Sequence, residues 1–156
     1  MQELNIKISK KNNLPSQLFF TGFDKKIVSL LKRTALFTLK YEKIKKYHIS
    51  FTMISDIDIK KMNRKFRKVN RITDVISFLV SKEHFMGDIY ISSNRPKINA
   101  KKYAMSFEEE LCYLVIHGIL HLEGYTDYDI KNKKLMFDKQ DAIFKCLFSN
   151  YCKKQN

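Results

Sequence analysis

Alternating apolar and polar positions predict four strands in this chain. Leu4 to Ser9 places Leu and Ile at alternate positions, which is the pattern of a strand with one buried face. His48 to Ile54, Asp74 to Val80 and Met86 to Ser92 are rich in the β-branched and aromatic residues that strands favour. Only the short polar segment 81–85 connects the last two, so we expect an antiparallel hairpin there.

Helical spacing of apolar residues predicts the remaining elements. Four helices run from Asp24 to Ile44, from Ser55 or Asp56 to Phe66, from Asn94 to Tyr103 and from about Tyr128 to Phe148. A fifth has firmer boundaries, because Ser106 and Glu109 form a capping box before it and Gly124 supplies the left-handed residue that ends it. This pattern favours an α+β fold, in which a small mixed and mostly antiparallel sheet packs against helices.

Composition indicates one soluble unit. The chain has 4 Gly, 2 Pro and no internal repeat or low-complexity linker, so we expect residues 1–156 to form a single domain. Its 3 cysteines include no C-x-x-C pair, which argues against a disulfide framework or a thiolate zinc site and favours a reducing cytoplasm. The N-terminus lacks the apolar stretch of a signal peptide, and the longest apolar run, Leu111 to Leu122, is too short to span a membrane.

The charge is strongly positive. The chain has 30 Lys and Arg against 16 Asp and Glu, a net charge of +14, which indicates a polyanionic partner such as nucleic acid or an anionic membrane. A merely solvated basic surface is the alternative, since an AT-rich coding bias also produces Lys beside Asn and Ile. In the densest run, KKMNRKFRKVNR at 60–71, the cations would hold an RNA backbone through salt-dependent contacts. We expect Phe66 to lie in the core; the alternative is that a base stacks on its ring.

The segment HGILHLEGYTD, residues 117–127, has the spacing of a metal site. His117 and His121 are one helical turn apart, so both imidazoles face the same side. Zinc needs at least three protein ligands, and the turn at Gly124 allows the chain to fold back and offer Asp127. This predicts a three-ligand centre with an open fourth position at the end of a central helix. The alternative is a pair of hydrogen-bonded core histidines beside an ordinary acidic turn residue.

Two other functions fit the same spacing. Zinc peptidases carry H-E-x-x-H, but Gly118 stands here where their glutamate acts as general base toward the zinc-bound water. A peptidase would therefore need another proton acceptor. A noncatalytic protein with a structural metal would have four protein ligands and no open position.

Three ordered blocks resemble a known family. HGILHLEGYTD is similar to the HGxLHLxGYDH signature of the YbeY-type bacterial ribosomal-RNA maturation endoribonucleases. Asn63, Phe66 and Arg67, followed by TDVISF at 73–78, resemble the family's N-x-x-Y-R and TDVLSF blocks. The segment GDI at 87–89 resembles its GD-hydrophobic strand, and the resemblance extends from about His48 to Phe148.

The resemblance implies a zinc-dependent, single-strand-directed endoribonuclease that acts in 3′ maturation of small-subunit ribosomal RNA and in ribosome quality control. Its partners would be RNA and the small ribosomal subunit or the proteins associated with it. The noncatalytic alternative would then be a ribosome-associated protein with a structural metal. The metal ligands His117 and His121 carry over, and His117 and Arg67 would carry the catalysis. Arg67 would grip a phosphate with its guanidinium fork and stabilise the charge that develops on it.

The third ligand is Asp127, where the family's common form has His; a carboxylate is a competent zinc ligand but should make bound water less acidic, which predicts lower activity or a different divalent metal. Thr73 and Asp74 would contact the substrate. The alternative for them is a turn in which Asp74 caps the strand that follows.

Overall fold

The computed structural model describes residues 15–153, which form an α+β fold of four strands and five helices. The elements are β1 (Gln17–Thr21), α1 (Lys25–Tyr41), β2 (His48–Ile54), α2 (Asp56–Arg67), β3 (Val75–Ser81), β4 (Met86–Ser92), α3 (Arg95–Lys102), α4 (Phe107–Glu123) and α5 (Ile130–Lys153). Every helix that we predicted is present. The strand predicted at Leu4 to Ser9 lies outside the described residues.

The sheet is mixed, with the strand order β1-β2-β4-β3. β3 and β4 form the predicted antiparallel hairpin, whereas β1 pairs with β2 and β2 with β4 in parallel. The expectation of a mostly antiparallel sheet was therefore wrong. The reason is that α1 lies between β1 and β2 in the chain, and α2 with β3 lies between β2 and β4; connections of that length bring the next strand back in parallel.

β1 is an element that the sequence pattern did not reveal. Gln17–Thr21 (QLFFT) has two adjacent phenylalanines, and only Phe20 turns toward the core, where it stacks on Phe51 at 4.8 Å between ring centroids. Phe19 is 50% exposed. Two neighbouring aromatic residues break the visible alternation, so the hydrophobic pattern alone gave no period of two.

The main core lies between one face of the sheet and helices α1 and α4. Helix α4 is its centre, with ten buried residues along 17. It approaches the sheet closely because two glycines lie at the contact: a Cβ on Gly118 would be 2.7 Å from Ile89 Cγ2, and one on Gly87 would be 2.7 Å from Leu122 Cδ2. This packing fixes the height at which the histidines of α4 lie above the sheet.

Helix α2 packs on the opposite face of the sheet. The Ser77 hydroxyl donates a hydrogen bond to the Gly118 carbonyl of α4 at 3.0 Å, so Phe78, the next residue along β3, points to the other side. There its ring meets Phe66 of α2. Among the described residues, no helix is both long and apolar enough to cross a membrane.

Candidate metal centre

Helix α4 has the two boundaries that the sequence predicted. The Ser106 hydroxyl accepts a hydrogen bond from the Glu109 backbone N–H at 3.0 Å, and the Glu109 carboxylate accepts one from the Ser106 N–H at 2.8 Å. At the other end Gly124 takes a φ of 108°, a conformation that side chains disfavour, and the chain turns back. The turn brings Asp127 beside the last turn of α4.

Three potential ligand atoms converge at this end of α4. His117 Nε2 and His121 Nε2 are 2.9 Å apart, and His121 Nε2 is 4.0 Å from Asp127 Oδ2. One atom from each of the three residues lies within 4.8 Å of the others. Zinc bonds of about 2.0–2.2 Å in a tetrahedron place ligand atoms roughly 3.3–3.6 Å apart, so the three groups fit one ion with small adjustments.

Hydrogen bonds on the far side of each ring identify which nitrogen is protonated. The Gln140 amide donates from Nε2 to the Tyr113 carbonyl at 3.1 Å, so its Oε1 faces His117 Nδ1 at 2.9 Å. That nitrogen must therefore donate. His121 Nδ1 likewise donates to the Tyr125 carbonyl at 3.0 Å. Neutral imidazoles that donate from Nδ1 carry a lone pair on Nε2, the form that binds metals.

The two lone pairs point at each other across a short distance, and that arrangement fits a cation. Two acceptors separated by 2.9 Å repel unless a positive charge lies between or beside them. Burial lowers the pKa of His117, and burial together with the neighbouring His117 lowers the pKa of His121 to about 4. Both rings are thus neutral near pH 7, which leaves the lone pairs free for a metal.

An open cavity of about 600 Å³ adjoins the three ligands. All six residues singled out in the sequence line it: Arg67, Thr73, Asp74, His117, His121 and Asp127. The positive charge of Arg67 contributes to lowering the pKa of both histidines, which reflects its closeness to the site. Residues separated by sixty positions in sequence are therefore brought to one cavity.

Comparison with known proteins identifies the family. A sequence model described as Endoribonuclease YbeY matches residues 17–147. The chain belongs to the endoribonuclease YbeY family. A protein named Endoribonuclease YbeY from Endomicrobium trichonymphae is 57% identical over 141 residues, which are 90% of this chain and 98% of that protein. One of the same name from Thermosipho melanesiensis is 36% identical over 108 residues, 69% of this chain and 78% of that protein.

A solved structure agrees with the fold. The solution structure of a Thermotoga maritima protein has a TM-score of 0.63 and 33% sequence identity, and the match covers 88% of this chain and 93% of that one.

Within this YbeY-family chain, Asp74 has a second set of contacts besides the cavity. Its two carboxylate oxygens accept hydrogen bonds from Arg95 Nε at 3.1 Å and Asn99 Nδ2 at 2.9 Å. Asn99 Nδ2 also donates to the buried Glu110 at 3.0 Å. Asp74 thus ties the start of β3 to α3 and, through Asn99, to α4. Its side chain remains 35% exposed, so a substrate contact stays a prediction.

Sequence reasoning missed three residues of this YbeY-type site: Gln140, Asn99 and Glu110. Gln140 is fully buried on α5 between Met136 and Ile143, so a polar residue within an apolar stripe was the available signal. Glu110 lies two helical turns before His117 on the same face of α4 and lines the cavity. Asn99 falls in a short helix whose partners depend on the tertiary fold.

Contacts of Lys139 stabilise the turn that carries Asp127. Lys139 Nζ lies 3.1 Å from Glu42 Oε1 and 6.0 Å from the centre of the Tyr125 ring. Burial, and then the nearby Glu42 carboxylate, raise the pKa of Glu123 to about 7. Lys139 therefore connects α5 to the end of α1 and to the residue whose carbonyl orients His121.

Proposed function

We propose that this protein is a zinc-dependent, single-strand-directed endoribonuclease that acts in the cytoplasm on the small ribosomal subunit, in 16S rRNA 3′ maturation and ribosome quality control. Family membership supports the nuclease activity. The observation that carries the metal dependence is the convergence of His117, His121 and Asp127 beside an open cavity. Zinc is proposed because two imidazoles and a carboxylate are a common zinc ligand set.

The protein's own groups would prepare the reaction as follows. Gln140 and the Tyr125 carbonyl keep His117 and His121 in the metal-binding tautomer. A divalent cation held there supplies Lewis acidity toward a phosphoryl oxygen. Arg67, on the wall of the same cavity, binds the scissile phosphate through its planar fork and stabilises the negative charge that grows on it.

The substrate contacts would come from the mouth of the cavity. Thr73 offers a hydroxyl to the RNA, and Asp74 offers the exposed part of its carboxylate to a ribose hydroxyl while it holds Arg95 in place. The net charge of +14 favours a polyanion in general and supplies affinity that weakens as salt rises.

The peptidase alternative is less well supported by the geometry. Gly118 stands where a peptidase has its glutamate, and even a methyl group there would meet Ile89 Cγ2 at 2.7 Å. The position faces the sheet, so it has no room for a general base. The noncatalytic alternative requires a fourth protein ligand. Among residues 15–149, whose side chains the structure describes, the only cluster of His, Cys, Asp and Glu of this kind has three members.

The decisive experiment measures metal content and RNA cleavage together. Wild type and His117→Ala are compared for bound zinc by elemental analysis and for cleavage of a single-stranded RNA, with a duplex RNA and casein as competing substrates. We expect about one zinc per wild-type chain, loss of most zinc in the variant, and cleavage of single-stranded RNA alone. Equal, near-zero metal in both proteins would remove the metal dependence, and cleavage of casein but not RNA would establish the peptidase.

A further inference from the structure

Three aromatic rings form a connected row on the side of the sheet that carries α2. We call Phe66, Phe78 and Tyr90 the aromatic row. The ring centroids of Phe66 and Phe78 are 5.0 Å apart at 67°, and those of Phe78 and Tyr90 are 6.1 Å apart at 69°. They belong to three different elements, α2, β3 and β4, so the row exists only in the folded protein.

Phe66 is too exposed for a core residue. The sequence predicted it in the core, but its side chain is 54% exposed, so that prediction was wrong. The other two rings are half-buried, and Phe66 meets Phe78 in an edge-to-face contact. An apolar ring left this open costs solvation free energy unless a partner covers it.

The surroundings of the row suit a polyanion. Lys65 Nζ lies 5.1 Å from the centre of the Phe66 ring. Five exposed cations follow the same helix: Lys60, Lys61, Arg64, Lys65 and, just after its end, Lys68. Exposed rings interleaved with cations bind single-stranded nucleic acid, because bases stack on the rings while phosphates meet the cations.

Acidic groups lie at one end of α2 and on the sheet beside the rings. Asp56 and Asp58 are in the first turn of α2, where Asp58 pairs with Lys61 at 3.7 Å. Asp88, the cross-strand partner of Phe78 and two residues before Tyr90 on β4, accepts a hydrogen bond from Ser50. Phosphates are therefore directed to the C-terminal half of α2, which carries Arg64, Lys65 and Arg67 and ends at the cavity.

We propose that the aromatic row is a base-stacking platform for single-stranded RNA whose phosphates follow the C-terminal half of α2 toward Arg67 and the metal centre. Phe66 directly precedes Arg67, so one strand would place a base on Phe66 and an adjacent phosphate in the cavity. This inference rests on the proposed endoribonuclease function and adds a binding site outside the cavity. It also explains a preference for single strands, since duplex bases do not offer their faces to a ring.

The test separates stacking from packing with two substitutions at one position. Phe66→Leu keeps an apolar contact with Phe78 but has no aromatic face, and Phe66→Ala removes both. Affinity for a fluorescent single-stranded 12-mer RNA is measured by anisotropy, with EDTA present so that the RNA stays intact. Phe19→Ala is the control, because Phe19 is similarly exposed but stands on β1, outside the row. Loss of stacking of one base predicts about 5- to 150-fold weaker binding for both Phe66 variants.

A second readout detects the stacked base directly. The chain contains no tryptophan, so Phe66→Trp introduces a single indole reporter. We expect its fluorescence to be quenched by the 12-mer but not by an abasic ribophosphate of equal length. Equal quenching by both, or binding of Phe66→Leu within twofold of wild type, would overturn the platform and leave a protein partner as the occupant of the row.

Different results would contradict the nuclease proposal and the stacking platform. If Phe66→Leu weakens RNA binding but neither wild type nor any variant cleaves RNA, the stacking platform stands and the nuclease proposal fails. If wild type and Phe66→Leu both cleave RNA and have the same KM and the same RNA affinity, the nuclease proposal stands and the platform is refuted.

Discussion

Gln140 holds His117 in a single orientation. Gln140 Oε1 accepts from His117 Nδ1 at 2.9 Å, while its Nε2 donates to the Tyr113 carbonyl at 3.1 Å, so the amide cannot flip without losing both bonds. The side chain is fully buried. One residue of α5 therefore determines which nitrogen of a histidine on α4 faces the site. The candidate metal centre depends on this hydrogen bond from His117 Nδ1 to Gln140 as well as on its three candidate ligands.

Gln140→Leu should weaken metal binding. Without its acceptor the His117 ring loses its fixed tautomer, and loss of such an orienting partner costs about 10- to 100-fold in metal affinity. Gln140→Glu keeps the acceptor for His117 Nδ1 but loses the N–H that bonds the Tyr113 carbonyl, so it should bind metal more tightly than Gln140→Leu. Competition with a chromophoric chelator measures both dissociation constants. Asp141→Asn is the control, because Asp141 is the next residue and also lines the cavity, but its carboxylate accepts from the Tyr113 hydroxyl and not from a histidine; a Leu variant that binds metal like this control would contradict the role of Gln140.

Gly118→Ala should destabilise the fold although Ala favours helices. Helix propensity gains about 1 kcal/mol, but the new methyl group meets Ile89 at 2.7 Å in a fully buried contact, and overpacking of this kind costs about 1–3 kcal/mol. We expect a net loss of up to about 2 kcal/mol in the free energy of unfolding measured with urea. In an Ile89→Ala background the methyl group has room, so the same substitution should cost less; an equal cost in both backgrounds would exclude the clash as the cause.

The fold was predictable wherever local signals coincide with the tertiary structure. The caps of α4, at Ser106 and Gly124, and the β3–β4 hairpin follow from short-range chemistry, and all are present. The parallel pairing of β1 with β2 and of β2 with β4 is decided by how the long connections return, which no local pattern reveals.

The same distinction separates the site residues that the sequence predicts from those that it does not. His117, His121 and Asp127 are predictable because a helical turn and one bend connect them. Gln140 and Glu110 become part of the site only when α5 and α4 pack together with α3. Phe66 was misplaced because the sequence cannot tell which face of α2 the sheet leaves uncovered.

The stability of the protein should depend on pH through Glu110. Burial, and then the nearby Asp74, raise the pKa of Glu110 above its ordinary value of 4.5, against the Asn99 hydrogen bond, which lowers it. When the pKa of an acid is higher in the folded state than in the unfolded state, its protonation stabilises the fold at pH values below the unfolded-state pKa. That contribution is lost as the pH rises through the folded-state pKa. Glu110→Gln does not titrate and can still accept from Asn99. Its stability relative to wild type should therefore increase as pH rises from acid to neutral.

Urea unfolding at a series of pH values measures that difference. Glu108→Gln, exposed on the same part of α4, is the control for removal of a carboxylate near the helix N-terminus. A stability difference between Glu110→Gln and wild type that is constant with pH, or that falls as pH rises, would show that Glu110 is not penalised by burial.

Arg67→Ala should lower kcat/KM for single-stranded RNA by about 10²–10³-fold, the usual cost of removing one group that stabilises transition-state charge. Arg67→Lys should restore only part of the activity, because an ammonium group cannot bind phosphate through a planar fork. Metal content should remain that of wild type, since Arg67 lies in the cavity but is not one of the three ligand residues. Arg64→Ala, exposed on the same helix and outside the cavity, controls for the loss of one positive charge. If Arg64→Ala and Arg67→Ala lose activity equally, Arg67 contributes general electrostatic attraction and does not act on the scissile phosphate.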